Sequence, residues 1–244
     1  MHLRPLLCTV LLSLLTAAHA ADTGFKPIFN GIDLSGWEGM DGVWSVRDGA
    51  ITGQTTASKV LEGNTFLVWK GGQPANFELR AKFKLTGQNP ANQANSGIQY
   101  RSKVLDPKMF VVGGYQADID MGKYIGMLYD ERGRGILMQP GEKIRVSPLP
   151  ESGQKGKQKA AIEKIATVTT QADILAAYKK NEWNEIRIVA KGNHLQHWIN
   201  GKLTADVTDT DAEKGAKSGV IALQLHKGPP MTAQYKDLQL KVLP

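Results

Sequence analysis

The stretch that decides how this chain reads is residues 113–135, GGYQADIDMGKYIGMLYDERGRG. Residues 115–120 alternate: Tyr115, Ala117 and Ile119 fall on one phase, Gln116, Asp118 and Asp120 on the other. A strand sends residues i and i+2 to the same face. One face of such a strand is apolar, and the other carries an amide and two carboxylates in a row. With a rise of ~3.3 Å per residue, neighbours on that face lie roughly 6 to 7 Å apart. Carboxylates that close repel, and one pKa is driven upward, which is how a general base near neutrality is made. A charged segment on glycine-broken backbone follows, Tyr129-Asp130-Glu131-Arg132-Gly133-Arg134-Gly135. Residue types alone leave two readings: a solvated face followed by a charged turn, or a site for acid–base chemistry.

Working outward, residues 96–102 (SGIQYRS) form a second candidate strand, with Ile98 and Tyr100 on one phase and Gln99 and Arg101 on the other. Paired with 115–120, it would set Arg101 beside Asp118 or Asp120, as a site residue or as a cross-strand ion pair. The clearest strand is 77–85, where Phe77, Leu79, Ala81, Phe83 and Leu85 alternate with Glu78, Arg80, Lys82 and Lys84. Residues 44–52 read as a hairpin around Asp48-Gly49, and 66–69 as a short buried strand. Residues 184–190 and 195–199 form another hairpin, and Asn200-Gly201 turns into 202–207. Strands at 220–226 and 234–242 close the chain. Residues 139–180 are basic, carry Pro140, Pro148 and Pro150, and show little β pattern. They read as an insertion at the edge of the framework, ending in one short amphipathic helix at 171–180 with Ile174, Leu175 and Tyr178 on a face. Short strands about every ten residues, with turn signals between them, argue an all-β sandwich of one domain.

Residues 1–20 read as a secretory signal peptide: Arg4, an apolar run over 6–15, then Ala18-His19-Ala20 before the expected cleavage point. That run is too short to span a membrane. The sole cysteine, Cys8, lies within it, so residues 21–244 form no disulfide and depend on an ordinary hydrophobic core. A periplasmic or secreted location follows. The net charge is +7, or +6 without Arg4. The lysines gather at 155–164 rather than on an aromatic-studded patch, which disfavours nucleic acid as a partner. The composition does not fix an oligomeric state.

The sequence holds no HExxH, cysteine pair, EF-hand loop, GxSxG elbow or P-loop. His194 and His197 fall on opposite faces of their strand and do not form a pair. His226 ends a strand beside Gln224 on the same phase and precedes the loop Lys227-Gly228-Pro229-Pro230. What remains is an oxygen-rich face of Gln99, Arg101, Gln116, Asp118, Asp120, Gln224 and His226, with Tyr129, Glu131 and Arg134 from the charged turn. Such groups suit sugar hydroxyls, and carboxylates serve as acids or bases on glycosides.

Six stretches taken together resemble the 3-keto-disaccharide hydrolase domain family: FNGIDLSGW (29–37), NSGIQYRS (95–102), GYQADID (114–120), GMLYDERGRGIL (126–137), EWNEIRIVAKGNHLQHWINGKL (182–203) and GVIALQLHKGPP (219–230). The resemblance implies a concanavalin A-like jelly roll of two antiparallel sheets with a concave sugar-binding face. It also implies cleavage of glycosides oxidised to a ketone at C3. The chain departs from glucanases of similar architecture, because Gln116 stands where their catalytic strand begins its alternating acids. On this reading Asp118 or Asp120 is the base and Arg101 the enolate stabiliser, with a divalent cation as a possible aid. His226 or Glu131 is the acid, and Gln99, Gln116, Tyr129, Arg134 and Gln224 bind the oligosaccharide substrate. A non-catalytic carbohydrate-binding module and an endo-glucanase-like hydrolase are the alternatives.

Overall fold

In the computed structural model, which describes residues 24–150 and 159–244, strands dominate. In chain order they are β1 (Lys26–Pro27), β2 (Trp37–Glu38), β3 (Trp44–Arg47), β4 (Ala50–Gln54), β5 (Thr65–Trp69), β6 (Phe77–Gly87), β7 (Asn95–Asp106), β8 (Val111–Asp120), β9 (Leu128–Glu131), β10 (Gly135–Ile136), β11 (Glu142–Ser147) and β12 (Ala161–Thr167). The helix α1 (Gln171–Ala177) follows, then β13 (Asn184–Lys191), β14 (His194–Ile199), β15 (Lys202–Asp209), β16 (Val220–Leu225) and β17 (Met231–Val242). The expected signal peptide lies outside the described residues.

Two sheets result. The larger runs β12-β11-β15-β14-β13-β6-β17-β4-β3, with β1 also on β17; the smaller runs β10-β9-β8-β7-β16-β5-β2. All neighbours pair antiparallel except β11 and β15. The alternation of β6 is realised as expected: Phe77, Leu79, Ala81, Phe83 and Leu85 are buried. They meet Ile98, Tyr100, Tyr115, Ala117, Ile119 and Leu223 of the smaller sheet in one core. The all-β jelly-roll sandwich anticipated from the sequence is therefore the fold.

Residues 139–180 differ from the expectation. They do sit at the sheet edge and end in the short helix, yet they also contain β11 and β12, paired to each other. The strand signal was hidden because β12 lies at the sheet edge with residues 162–167 all exposed, Ile162 and Ile165 among them, so no apolar–polar alternation arises. In α1, Thr170 caps the N-terminus by accepting from the Asp173 amide at 3.1 Å. Ile174 is buried and Tyr178 stacks on Phe83 with ring centroids 6.4 Å apart, while Leu175 points to solvent.

One further feature shapes the site. The β7–β8 hairpin is interrupted by bulges between Tyr100 and Lys103 and between Val104 and Asp106. Its far end folds back over the outer face of the smaller sheet. Phe66 of β5 donates its amide to the Phe110 carbonyl at 3.0 Å, and Val112 packs with Phe66, Val68 and Ala222. In the sheet, β16 and β7 separate β5 from β8, so these contacts require the curl. Bulges supply such bends by adding local twist. Gly114, at φ +134°, sits at the bend, where a Cβ would meet Ser102 Oγ at 2.6 Å.

Candidate active site

On β8, Tyr115, Ala117 and Ile119 point into the main core, and Gln116, Asp118 and Asp120 occupy the other face. Much of that face is closed to bulk water. Gln99, Gln116, Gln224, Asp118 and Glu131 are all buried. Opposite Asp118 on β7 stands Gly97. A Cβ there would meet Gln116 Cγ and Cδ at 2.6 Å, so the glycine lets the Gln116 side chain lie across β7.

Three carboxyls collect around this point, each held above the usual carboxylate range chiefly by burial. Asp118 is raised furthest, with Asp120 and Glu131 adding repulsion and a hydrogen bond from Asn95 opposing them. Its Oδ2 has no hydrogen-bond partner. The shift of Asp120 is opposed by hydrogen bonds from the Gly122 and Tyr124 amides to Oδ1, at 2.9 and 3.0 Å. The shift of Glu131 is opposed by the Arg132 charge and an Asn64 hydrogen bond. Glu131 Oε2 also accepts from Gln224 Nε2 at 3.4 Å. Burial likewise raises the Tyr129 phenol, with Glu131 and Asp118 adding to it.

Two recesses open on this cluster. One, of about 620 Å³, is lined by Glu131, Tyr129, Asn64, His226, Lys227 and Lys159 among others. The other, of about 380 Å³, is lined by Asp120, Asn95, Met121 and Lys180, and shares His226 and Lys227. Burial lowers the His226 pKa, so its imidazole is neutral near pH 7. Asp118 lines neither recess. Its nearness to both is electrical, through Asp120 and Glu131. A cleft bordered by carboxyls of raised pKa, a phenol, a neutral imidazole and lysines can exchange protons with a bound molecule and hold developing negative charge.

Two sequence-based placements are corrected. Arg101 does not stand beside Asp118 or Asp120. It occupies the bulge at φ +46°, and its guanidinium donates to the carbonyls of Ala75 at 2.7 Å, Gly192 at 2.7 Å and Ala216 at 3.3 Å. The bulge breaks the alternation and re-aims the side chain into the loops at the end of the sandwich. Arg134 also leaves this face. It is buried on the core side, bonded to Asp130 Oδ2 at 2.7 Å and Asp209 Oδ2 at 2.7 Å, against the Tyr115 ring. The Gln99 amide is buried and is spent on its own hairpin. In the amide orientation that satisfies its neighbours it donates to Ser102 Oγ at 2.9 Å and the Tyr115 carbonyl at 2.7 Å.

The two hairpin histidines part as expected. His197 is in the core, bonded to Tyr100 OH at 2.8 Å and lowered to about 4 by burial, whereas His194 faces outward and pairs with Asp206 at 2.7 Å. Asn64, Asn95, Lys159 and Lys227 escaped the sequence reading. Only Lys227, next to His226, carried any local signal. Among the described residues, no three of His, Cys, Asp and Glu converge to hold a metal ion.

The jelly roll and this sheltered cleft define a carbohydrate-active, glycosyl hydrolase-like domain. More narrowly, the chain belongs to the 3-keto-alpha-glucoside-1,2-lyase-like domain family, whose pattern it matches over residues 24–241. Solved structures share the fold. A protein of Parabacteroides distasonis ATCC 8503, provisionally classed as a glycosyl hydrolase, superposes with a TM-score of 0.55 at 20% identity, covering 91% of this chain and 94% of that one. A second from the same organism gives 0.56 at 18% identity over 90% and 99%. The carbohydrate binding module CBM66 from Bacillus subtilis gives 0.52 at 14% identity over 84% and 95%. No curated protein matches the sequence. Among the described residues no helix is long and apolar enough to cross a membrane.

Proposed function

We propose that this protein cleaves glycosides carrying a ketone at C3, through removal of the C2 proton and elimination of the C1 substituent. The observation that carries the reading is Glu131, a carboxyl of raised pKa lining a cleft with Tyr129, His226 and Lys227. A ketone at C3 acidifies the C2 hydrogen. Glu131 takes that proton, and the C2–H electron pair forms the C1=C2 bond. The C1–O bond breaks with its pair on the leaving oxygen, and that oxygen receives the proton from Glu131. Lys227 and Arg132 offer positive charge to the enolate oxygen, a role in which Arg101 is replaced. Water then adds across the enone to complete net hydrolysis.

Asp118 acts from behind. Burial raises its pKa and so disfavours its charged form, which lessens the repulsion Glu131 meets. Asp120 fixes the turn at 121–125, and Gln116 and Gln224 position hydroxyls or Glu131 itself. Export, expected from residues 1–20, belongs to the same proposal. CBM66, which shares the fold, supports the alternative of sugar binding without cleavage.

Incubation with a plain disaccharide and with its 3-keto form in heavy water, followed by NMR, separates these readings. The proposal expects cleavage of the keto form alone, with deuterium at C2, and a loss of roughly 10²- to 10⁴-fold in kcat/KM for Glu131→Gln. Cleavage of the plain sugar without deuteration points to an ordinary glycosidase, and binding without cleavage to a module. Wild-type rates in Glu131→Gln would remove this residue from the chemistry.

A further inference from the structure

On the far side of the turn that carries Glu131 lies a larger cavity of about 940 Å³. It shares the wall Asp130–Gly133 and Lys159 with the cleft described above. Its lining is strongly basic. Lys103, Arg132, Lys159, Lys214 and Lys217 surround it, with Arg134 beneath. Of the acids nearby, Asp130 and Asp209 are bonded to Arg134, while the buried Asp211 keeps one oxygen without a hydrogen-bond partner. Among the described residues Lys103, Lys214 and Lys217 have no carboxylate partner, and all three are exposed. Glu213 is the one acid on the rim that is exposed to solvent.

The floor is also incomplete. Arg134, with a side chain only 2% exposed, reaches Asp211 Oδ2 from Nη1 at 3.7 Å, beyond hydrogen-bonding range, and both atoms lack a partner. A buried guanidinium edge left unsatisfied in this way is costly unless something occupies the space in front of it.

We infer that this cavity takes an anionic group of the bound molecule, a carboxylate or phosphate on a sugar. The inference rests on the proposed function in placing that group on the leaving side of the substrate, across the Glu131 wall from the C3 ketone. Cations that converge on a concave site with few competing acids raise the local concentration of an anion and favour its capture. The basic balance of the whole chain works in the same direction.

The test reads binding, not turnover. Glucuronate, glucose 6-phosphate and glucose are titrated into the full protein and followed through the amide resonances of Gly113, Gly133 and Gly215, three glycines on the cavity lining. The expected result is preference for both anionic sugars over glucose by roughly tenfold, weakened by salt and by at least that factor in Lys214→Glu/Lys217→Glu. Folding of the variant is checked by its urea midpoint. Equal binding of glucose and the anions, or anion binding untouched by the double variant, overturns the inference. Shifts confined to residues far from the cavity, such as Trp183 and Trp198, overturn it as well. Cleavage of an uncharged 3-keto disaccharide does not enter this measurement, so failure of the catalytic reading and failure of the anion site give different results.

Discussion

Replacing Asp118 by Asn tests the electrostatics on which the site depends. The Asp118 carboxyl is 4% exposed, its Oδ2 lacks a partner, and its pKa is raised well above the usual value. Between the unfolded value and the raised folded value, the native state holds about one more proton than the unfolded chain. Stability then falls as pH rises, by about 1.4 kcal/mol per pH unit for that group. The fall begins above the unfolded value of roughly 3.9 and stops once pH passes the folded one. An amide cannot titrate, still offers an oxygen to Asn95 and fills the same volume. The Asp118→Asn variant therefore matches wild type near pH 4 and gains on it as pH rises, for as long as pH stays inside the window. Urea denaturation at pH 4, 5, 6 and 7 measures the gap. Two curves that stay parallel, or a gap that closes with rising pH, would refute the claim that Asp118 is buried and held protonated.

Gly97→Ala sets a methyl against Gln116 Cγ and Cδ at 2.6 Å, and a destabilisation of about 1–3 kcal/mol with lost sugar turnover is expected by denaturation and steady-state assays. Arg134→Met breaks a buried network that holds Asp130 and Asp209, so a loss of about 3–5 kcal/mol in urea is expected. His197, folded at about 4 against 6.5 unfolded, contributes stability that is present above about 6.5 and lost as pH falls toward 4. His197→Gln should flatten that acid limb in a thermal melt series, the opposite slope to that of Asp118.

The regular half of this molecule could be read from periodicity. The alternation of residues 77–85 and 115–120 is a local signal, since each side chain reports the face it occupies, and β6 and β8 follow it. The departures are all long-range. Arg101 lies on the polar phase by counting, yet a bulge inverts its direction, and nothing adjacent to it announces the carbonyls of Ala75 and Gly192 as partners. Arg134 sits in a run of charges that looks solvated, and Asp209, its anchor, is 75 residues away. The apolar run 66–69 hinted at burial on both faces, but not that the end of a distant hairpin would cover Phe66 and Val68. The polar cluster itself was legible as a set of residues on one face. Its burial was not, because Asn64, Glu131 and Gln224, which close around it, come from three separate parts of the chain.

The lone long margin of the larger sheet has a consequence for solution behaviour. The terminal strands β3, β10 and β2 are four, two and two residues long, whereas β12 offers seven. Among the described residues nothing pairs with its outer side. Ile162 and Ile165 there are 41% and 46% exposed, with Glu163 and Lys164 set between them. Those two charges are the guard against one molecule extending the sheet of another, because a row of free amides and carbonyls is a template for any extended chain. Crowded preparations should begin to self-associate at this margin when the guard is neutralised, and mild opening of the fold should start here rather than at the sheltered cleft.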